Sequence, residues 1–357
     1  MTKQFIFPTI LCCLISSISF AQQVRAPFNT ETWNLENAET KIEQYMGRSS
    51  ILLKNGSIVV KDVQFLNGTI EVDINFPADR NFPGLSFRGQ DPQNYESFYI
   101  RPHQSGNPDA CQYTPDLNGF AGWQLYYGEG YGKAVELQPD QWHHLKMVVK
   151  GELADVYFDD MEQPLLHINR LKGDFPAGFI GLNSGSGVHF ANYSYQLDET
   201  DYLITAEGKP DDKTVAEWEL SELLDNQFFA DKTQVDRSLA GQLHWTSHPT
   251  ESTGLLNIAR YTKAEKDKTT VVARLRINTE QDQIKGLRFG YSDEVMVFVN
   301  GKLQYMGNTV FRSRDYRYLG TIGYFDAVFL DLKKGENEVW FVVKENFGGW
   351  GLQARYF

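Results

Sequence analysis

The sequence is poor in cysteine, and this scarcity excludes several kinds of site. Three cysteines occur in 357 residues, and Cys12 and Cys13 lie near the start of the chain. After them only Cys111 remains, which can form neither an internal disulfide nor a zinc site built on several cysteines. Large hydrophobic cores must therefore supply the stability, and a chain of this length can bury them.

Long apolar runs are also scarce. The only one, residues 5–18, follows Lys3 and precedes Ser19-Phe20-Ala21, which is the pattern of a signal peptide cleaved after residue 21. The run is too short to cross a membrane as a mature helix. We therefore expect an exported protein, periplasmic or extracellular, without a membrane span. The unpaired cysteine favours a bacterial source.

Positive charge is the third deficit. The chain has 46 Asp and Glu against 34 Lys and Arg, with a formal net charge of −12 and no block of basic residues. Such a chain is a poor partner for a phosphate backbone, so we expect no binding of nucleic acid. Aromatic residues make up 14% of the chain. An exported, acidic and aromatic-rich protein favours a neutral glycan or oligosaccharide as its partner.

Helical patterns are nearly absent, and strand patterns dominate. Residues 221–229 could form one short helix. GTIEVDINF, at residues 68–76, alternates apolar and polar side chains strictly, as a half-buried strand does. Residues 142–168 predict three successive strands, and Asn300-Gly301 predicts a type I′ hairpin turn. Closely spaced strands without amphipathic helices indicate antiparallel sandwiches.

The stretch from residue 98 to 128 is less regular. Residues 98–102 predict a strand that Pro102 ends, and residues 123–128 predict the next strand. The polar run between them, residues 103–118, predicts a loop or an irregular sheet edge.

The domain organisation follows from residues 198–213, which are polar and contain Gly208 and Pro210, as a linker does. We predict a signal peptide at 1–21 and two domains at 22–200 and 201–357. The predicted fold is all-β, with two tandem antiparallel β-sandwich (jelly-roll) domains. The oligomeric state is left open.

Several segments carry a resemblance to known families. Through GTIEVDINF, ESFYIRPHQSG, QYTPDLNGFAGWQLYYG and WHHLKMVVKGELADVYFDD, the first domain resembles the laminin-G-like or concanavalin A-like sandwich and is similar to the 3-keto-disaccharide hydrolase-like group. Through SDEVMVFVNGKLQY and LDLKKGENEVWFVV, the second domain resembles a galactose-binding-like jelly roll. The resemblance implies these folds and a role with sugars, but such folds host enzymes, lectins and structural modules alike.

The resemblance also points to one strand where glucanases of the concanavalin-like fold carry alternating acids. Here Glu71 and Asp73 are followed by Asn75, which stands where the last carboxylate belongs. Retaining hydrolysis needs two carboxyl groups, and an amide cannot take or give the proton. We therefore expect no catalysis from this strand. An enzyme acting on modified sugars with Arg101, His103 and an acid of the first domain stays as the alternative.

Candidate ligand-binding residues cluster in the irregular stretch of the first domain. Planar donors and acceptors suit sugar hydroxyls, and flat rings suit their C–H faces. The candidates are Arg101, His103, Gln112, Tyr113, Asn118, Trp123, Gln124 and Tyr126. The competing interpretation is that these side chains only fasten a long loop to the sheet. Cys111 has no neighbouring base, which indicates a buried small residue.

In the second domain the candidates are Arg312, Arg314 and Trp350, the last presented at the sandwich rim by a preceding glycine pair. The competing interpretation is an internal arginine–aspartate network with an aromatic plug. No cofactor is expected, although both sandwich types allow calcium on loop oxygens. Three hypotheses result: a glycan-binding protein, a glycosidase-like or lyase-like enzyme, and a structural module without ligand.

Overall fold

The computed structural model describes residues 22–357, so the predicted signal peptide lies outside the described residues. The regular structure in this range consists of β-strands and short 3-10 helices, which confirms the all-β prediction. The 3-10 helices span Pro102–Gln104, Gly122–Gln124, Arg237–Gly241 and Ile258–Arg260. In this part of the chain no helix has the length and apolar character needed to cross a membrane.

The first sandwich comprises strands β1 to β15. Their bounds are β1 Val24–Arg25, β2 Trp33–Asn34, β3 Ala38–Tyr45, β4 Arg48–Val60, β5 Gly68–Asn75, β6 Gly84–Asp91, β7 Asn94–Ile100, β8 Cys111–Leu117, β9 Phe120–Ala121, β10 Gly132–Lys133, β11 His143–Lys150, β12 Leu153–Phe158, β13 Leu166–Ile168, β14 Phe179–Ser184 and β15 Val188–Leu197. They form one curled antiparallel sheet in the order β10-β8-β7-β6-β14-β4-β15-β5-β11-β12-β13, with the short strands β1, β2, β3 and β9 paired beside it.

The second sandwich comprises strands β16 to β25 in two antiparallel sheets. Their bounds are β16 Glu217–Ser221, β17 Trp245–Pro249, β18 Leu255–Asn257, β19 Thr270–Thr279, β20 Gln283–Ser292, β21 Glu294–Val299, β22 Lys302–Asn308, β23 Asp326–Leu332, β24 Gly335–Lys344 and β25 Gly351–Tyr356. One sheet has the order β17-β16-β19-β24-β21-β22, and the other has the order β18-β25-β20-β23.

Side chains alternate between the two faces of each strand, and the apolar faces form the hydrophobic cores. In β5, Ile70, Val72 and Ile74 are fully buried, as the alternating sequence predicts. A separate cluster fills the second sandwich, and Leu117 of β8 belongs to that second cluster. The two sandwiches therefore share apolar contact. No strand lies within residues 198–213, and the domain limits of 22–200 and 201–357 stay a prediction.

The local predictions have mixed outcomes. Residues 142–168 form three strands as expected, and Asn300 and Gly301 have φ angles of 50° and 79°, which confirms the positive φ expected at both turn positions. The helix predicted at residues 221–229 is wrong, because Ser221 ends β16 and its hydroxyl accepts a hydrogen bond from the backbone N–H of Val272 at 2.9 Å.

Two predictions in the stretch from residue 98 to 128 are also wrong. Part of the expected loop is the regular strand β8, whose residues are all buried. The strand expected at 123–128 is replaced by the 3-10 helix Gly122–Gln124. The Gln112 side chain prevents an extended strand here. Its Nε2 donates to the carbonyls of Trp123 and Tyr126, at 2.8 Å and 2.6 Å. These bonds hold the segment in a turn over β8.

Candidate functional site

A cavity of about 310 Å³ lies over β7 and β8, between the two sandwiches. Its floor consists of alternate side chains of β7, namely Tyr95, Ser97 and Tyr99, with Thr114 and Asp116 of β8. The intervening side chains of β7 point into the core of the first sandwich, because successive strand residues face opposite sides. The polar face of two neighbouring strands thus forms the base of the site.

Arg101 forms a buried network at one end of the cavity. The side chain is 6% exposed, and its Nη2 donates to the Tyr99 hydroxyl at 2.9 Å and to Gln112 Oε1 at 2.5 Å. Its Nη1 donates to the carbonyl of Asp109 at 2.5 Å. The two side chains lie together, as expected, but Gln112 is 2% exposed and does not line the cavity. Their common role is to hold the loop and the aromatic ring of Tyr99 in place.

His103 and Asn183 contribute polar side chains to the cavity lining. Within residues 22–357, His103 Nδ1 and Asn183 Oδ1 have no hydrogen-bond partner, and both atoms are buried. Burial, with Arg80 and Arg101 nearby, lowers the pKa of His103, so its ring is neutral at neutral pH. A buried polar atom without a partner costs free energy.

Asp116 adds a carboxyl group with an unusual proton affinity. It is 8% exposed, and burial raises its pKa to about 7. The Ser97 hydroxyl lies 3.3 Å from Asp116 Oδ2. Near neutral pH the carboxyl group is protonated in a large fraction of molecules, so it can donate as well as accept hydrogen bonds.

Aromatic rings form the walls. Phe82 and Tyr99 come from the first sandwich, and their ring centroids lie 6.0 Å apart. Trp123 lines the other side together with Phe347 of the second sandwich, with ring centroids 5.5 Å apart. Leu319, also of the second sandwich, contributes to the same wall. The cavity therefore depends on both sandwiches.

The structure corrects the ligand-binding prediction for four residues. Tyr113, Gln124, Tyr126 and Trp350 are each at most 1% exposed, which leaves no surface for a ligand. The Tyr113 hydroxyl donates to Glu96 at 2.5 Å, and the indole of Trp350 packs against another aromatic ring inside the protein. These side chains hold the fold together, as the competing interpretation proposed.

Two of those four residues join the sandwiches. The Tyr126 hydroxyl donates to the carboxylate of Glu251. The amide oxygen of Gln124 accepts a hydrogen bond from the Ser292 hydroxyl at 2.6 Å, and its nitrogen lies 3.3 Å from Asp293 Oδ1. A loop of the first sandwich is thereby fixed to the second sandwich.

Three further candidates lie away from the cavity lining. The side chain of Asn118 donates to the carbonyl of Ala259 at 2.8 Å, another contact between the sandwiches. Arg314 pairs with Asp326 at 2.9 Å, and Arg312 is exposed on the same loop. The arginine–aspartate network of the competing interpretation is therefore present for Arg314.

The acidic strand β5 is engaged elsewhere. His144 Nδ1 lies 2.7 Å from Asp73, and its Nε2 lies 3.3 Å from Glu71, so both carboxylates raise the pKa of His144 to about 9. Neither Glu71 nor Asp73 lines the cavity, so this strand supplies no acid to the enzyme hypothesis for this site. His143 points to the opposite side and contacts Asp159 at 2.6 Å.

Cys111 is buried and forms no disulfide within residues 22–357. Burial raises the pKa of its thiol to about 12, so it is no nucleophile at neutral pH. Within residues 22–357, no group of three or more His, Cys, Asp and Glu side chains is placed to hold a metal ion. Calcium binding stays a prediction.

Sequence reasoning missed several residues of the site. Tyr95 and Ser97 alternate with buried residues in YESFYIRP, residues 95–102, so the period of two was an available signal. Phe347 lies three residues before Trp350, and the exposed ring beside the glycine pair is Phe347, which is 39% exposed. No local signal pointed to Phe82 or Asn183, because the chain brings them to the cavity only through folding.

The fold and the cavity define an all-β protein of two sandwiches with a polar and aromatic pocket between them. No family model matches the chain, and no curated protein matches it. Among solved structures, the carbohydrate-binding module CBM66 of Bacillus subtilis is 17% identical, covering 46% of this chain and 95% of its own, with a TM-score of 0.36.

Two other solved structures are similar to the same extent. A β-glucanase of Bacillus licheniformis is 13% identical over 50% of this chain and 98% of its own, with a TM-score of 0.36. The exoplasmic/lumenal domain of VIP36, in a form bound to Ca²⁺ and Man3GlcNAc, is 13% identical over 51% of this chain and 91% of its own, with a TM-score of 0.37. Identities and TM-scores this low carry no argument about function.

Proposed function

We propose that this protein is an exported bacterial glycan-binding protein that holds the end of a saccharide in the cavity between its sandwiches. The observation that carries the proposal is a cavity lined by the polar side chains of His103, Asn183 and Asp116 and walled by aromatic rings. Hydroxyl groups of a sugar both donate and accept hydrogen bonds, so a sugar ring suits such a mixed polar lining.

The rest of the lining supports the same ligand. The rings of Phe82, Tyr99 and Trp123 offer flat apolar surfaces for the C–H faces of a sugar. Asp116, whose pKa is about 7, adds a group that can donate or accept. The volume of about 310 Å³ lies at the small end of ligand sites, which favours a terminal sugar unit over an internal stretch of polysaccharide.

Isothermal titration calorimetry against a panel of saccharides tests the proposal. The panel contains glucose, galactose, mannose, xylose and galacturonate, with their oligosaccharides of two to six units. We expect at least one series to bind, and Trp123→Ala and Asn183→Leu to abolish that binding. Trp142→Ala is the control, because Trp142 belongs to the first sandwich but does not line the cavity. Absence of binding across the panel would contradict the proposal.

The predicted export has its own test. Fractionation of bacterial cells that express the full-length chain is expected to recover a shorter protein, cleaved after residue 21, outside the cytoplasm. Recovery of the uncleaved chain in the cytoplasm would contradict this part of the proposal.

One observation favours hydrolysis as a second candidate function. Asp116 has a pKa of about 7, as a general acid needs, and Asp109 lines the same cavity. Glycoside hydrolysis commonly uses two carboxyl groups, one of them with a raised pKa. Release of reducing sugar from the bound oligosaccharide, lost in Asp116→Asn and Asp109→Asn, would establish this function. Binding without turnover by the unaltered protein would exclude it.

A further inference from the structure

We infer that the cavity continues outward as a ridge of three aromatic rings, Trp123, Phe347 and Phe311, which carries the sugar units that follow the terminal one. The inference rests on the proposed function and specifies its ligand as an oligosaccharide end rather than a free monosaccharide. It also assigns the second sandwich a share in recognition, because Phe311 and Phe347 belong to its loops.

The rings form a continuous series from the cavity to the surface. Trp123 and Phe347 line the cavity, with centroids 5.5 Å apart and planes at 66°. Phe347 and Phe311 follow with centroids 4.7 Å apart and planes at 32°. The exposed fraction is 39% for Phe347 and 63% for Phe311. An oligosaccharide that leaves the cavity on this side therefore meets two further apolar surfaces, the rings of Phe347 and Phe311.

The backbone of Phe311 supports a role for its ring. Its φ angle is 54°, in the left-handed region, which is rare for a bulky side chain. Such conformations cost free energy and concentrate at functional sites. Here the conformation holds a large apolar ring against Phe347 and in contact with solvent. A buried ring would contribute more to the free energy of unfolding than this exposed one does, so stability alone does not account for its position.

Asp293 fixes both ring-bearing loops. Its backbone carbonyl accepts hydrogen bonds from the backbone N–H and the hydroxyl of Thr309, at 2.8 Å and 3.1 Å. Its carboxylate accepts from the backbone N–H groups of Asn346 and Phe347, at 3.0 Å and 2.5 Å. Asp293 is fully buried. The ridge is thus held in place before a ligand arrives, which reduces the entropy lost on binding.

Chain-length dependence separates the ridge from the cavity. Calorimetry would use the cello-, laminari-, malto-, manno-, xylo-, galacto- and galacturono-oligosaccharides of one to six units. For the series that binds, we expect affinity to rise beyond the first or second unit. Phe311→Ala is expected to weaken the longer oligosaccharides by about 5- to 10-fold, or about 1 to 1.4 kcal/mol, and to leave the shortest binding member unchanged.

The control is Tyr316→Ala, because Tyr316 lies on the same loop and is 93% exposed. It should bind every chain length as the unaltered protein does. Phe311→Ala removes an exposed side chain, and an unchanged melting temperature would show that it folds normally. As a second perturbation, Asp293→Asn should weaken the longer oligosaccharides more than the shortest.

Each result bears on a different part of the argument. If Phe311→Ala binds every length as the unaltered protein does, the ridge is overturned and the cavity stands. If it weakens the shortest and longest members equally, the ring acts on the cavity itself, and the ridge is overturned again. If no saccharide binds the unaltered protein, the proposed function and the ridge fall together.

Discussion

Replacement of Asp116 by asparagine is expected to stabilise the protein at alkaline pH and to leave its stability unchanged at acidic pH. Asp116 is 8% exposed, and its environment raises the pKa from 3.8 to about 7. Burial is the dominant cause, because it disfavours the charged form. Asparagine has nearly the same shape and carries no charge at any pH.

The size of the effect follows from proton linkage. Between pH 3.8 and about 7 the folded state holds this proton more tightly than the unfolded state does. The stabilising contribution of the proton is fully present below pH 3.8 and is lost as the pH rises through 7. A shift of roughly three pKa units at about 1.4 kcal/mol each gives about 4 kcal/mol as an upper bound.

Urea denaturation, followed by tryptophan fluorescence at pH 5, 6.5 and 8, measures this contribution. The free energy of unfolding of Asp116→Asn should exceed that of the unaltered protein at pH 8, and the gap should narrow toward pH 5. Asp140→Asn is the matched control, because Asp140 lies in an exposed turn. Its free energy of unfolding should follow that of the unaltered protein at each pH.

A constant difference between Asp116→Asn and the unaltered protein, at pH 5 and at pH 8 alike, would refute the reasoning. It would mean that Asp116 titrates alike in the folded and unfolded states. Destabilisation by several kcal/mol at pH 8 would refute it as well, because it would show that the ionised carboxylate has a stabilising partner in the folded protein.

Three further predictions concern stability. Lys172 Nζ is buried between Glu251 and Glu207, at 2.6 Å and 2.9 Å, so Lys172→Met should cost about 3–5 kcal/mol in urea denaturation by leaving a buried carboxylate unpaired. Gly301→Ala should cost about 1–3 kcal/mol in the same assay, because a Cβ would lie 2.3 Å from the carbonyl oxygen of Val235. Trp350→Ala should lower the free energy of unfolding by about 3–5 kcal/mol, because its indole is fully buried.

Matched variants test each of the three reasons. Lys54→Met removes an exposed ion pair and should change stability little; an equal loss would contradict the argument from burial. Gly335→Ala has a φ of 98° with open space around it, so a loss as large as that of Gly301→Ala would assign the cost to φ alone. Trp142→Ala, at a partly exposed position, should cost less than Trp350→Ala.

Strand positions were predictable where local alternation matches burial. In β5 the apolar residues face the core and the polar residues face the opposite side, where Thr69 and Glu71 are partly exposed and Asp73 and Asn75 are buried, so the alternation could be read directly. The turn at Asn300-Gly301 was predictable for a different local reason, since both positions require positive φ. Strand β8 was not predictable, because its polar side chains, among them Thr114 and Asp116, face a cavity rather than solvent.

The candidate site was predictable only in part. The sequence places Arg101, His103 and Trp123 within one short stretch, and all three line the cavity. It could not show which aromatic rings are exposed, because Tyr126 and Trp350 are buried by contacts with residues far away in the chain. Asn183 and Phe347 reach the cavity from other segments, and no local pattern marks them.

The sequence by itself determined the all-β class, the hairpin turns and the polar face of β7. These features depend on neighbouring residues, through side-chain alternation and backbone φ preferences. Only the tertiary structure decided which polar groups lose water. It buried Gln124 and Tyr126 with partners in the second sandwich, and it brought His103 and Asn183 together in the lining of one cavity. Burial and hydrogen-bond satisfaction depend on the packing of the whole chain, and the site exists only as a consequence of that packing.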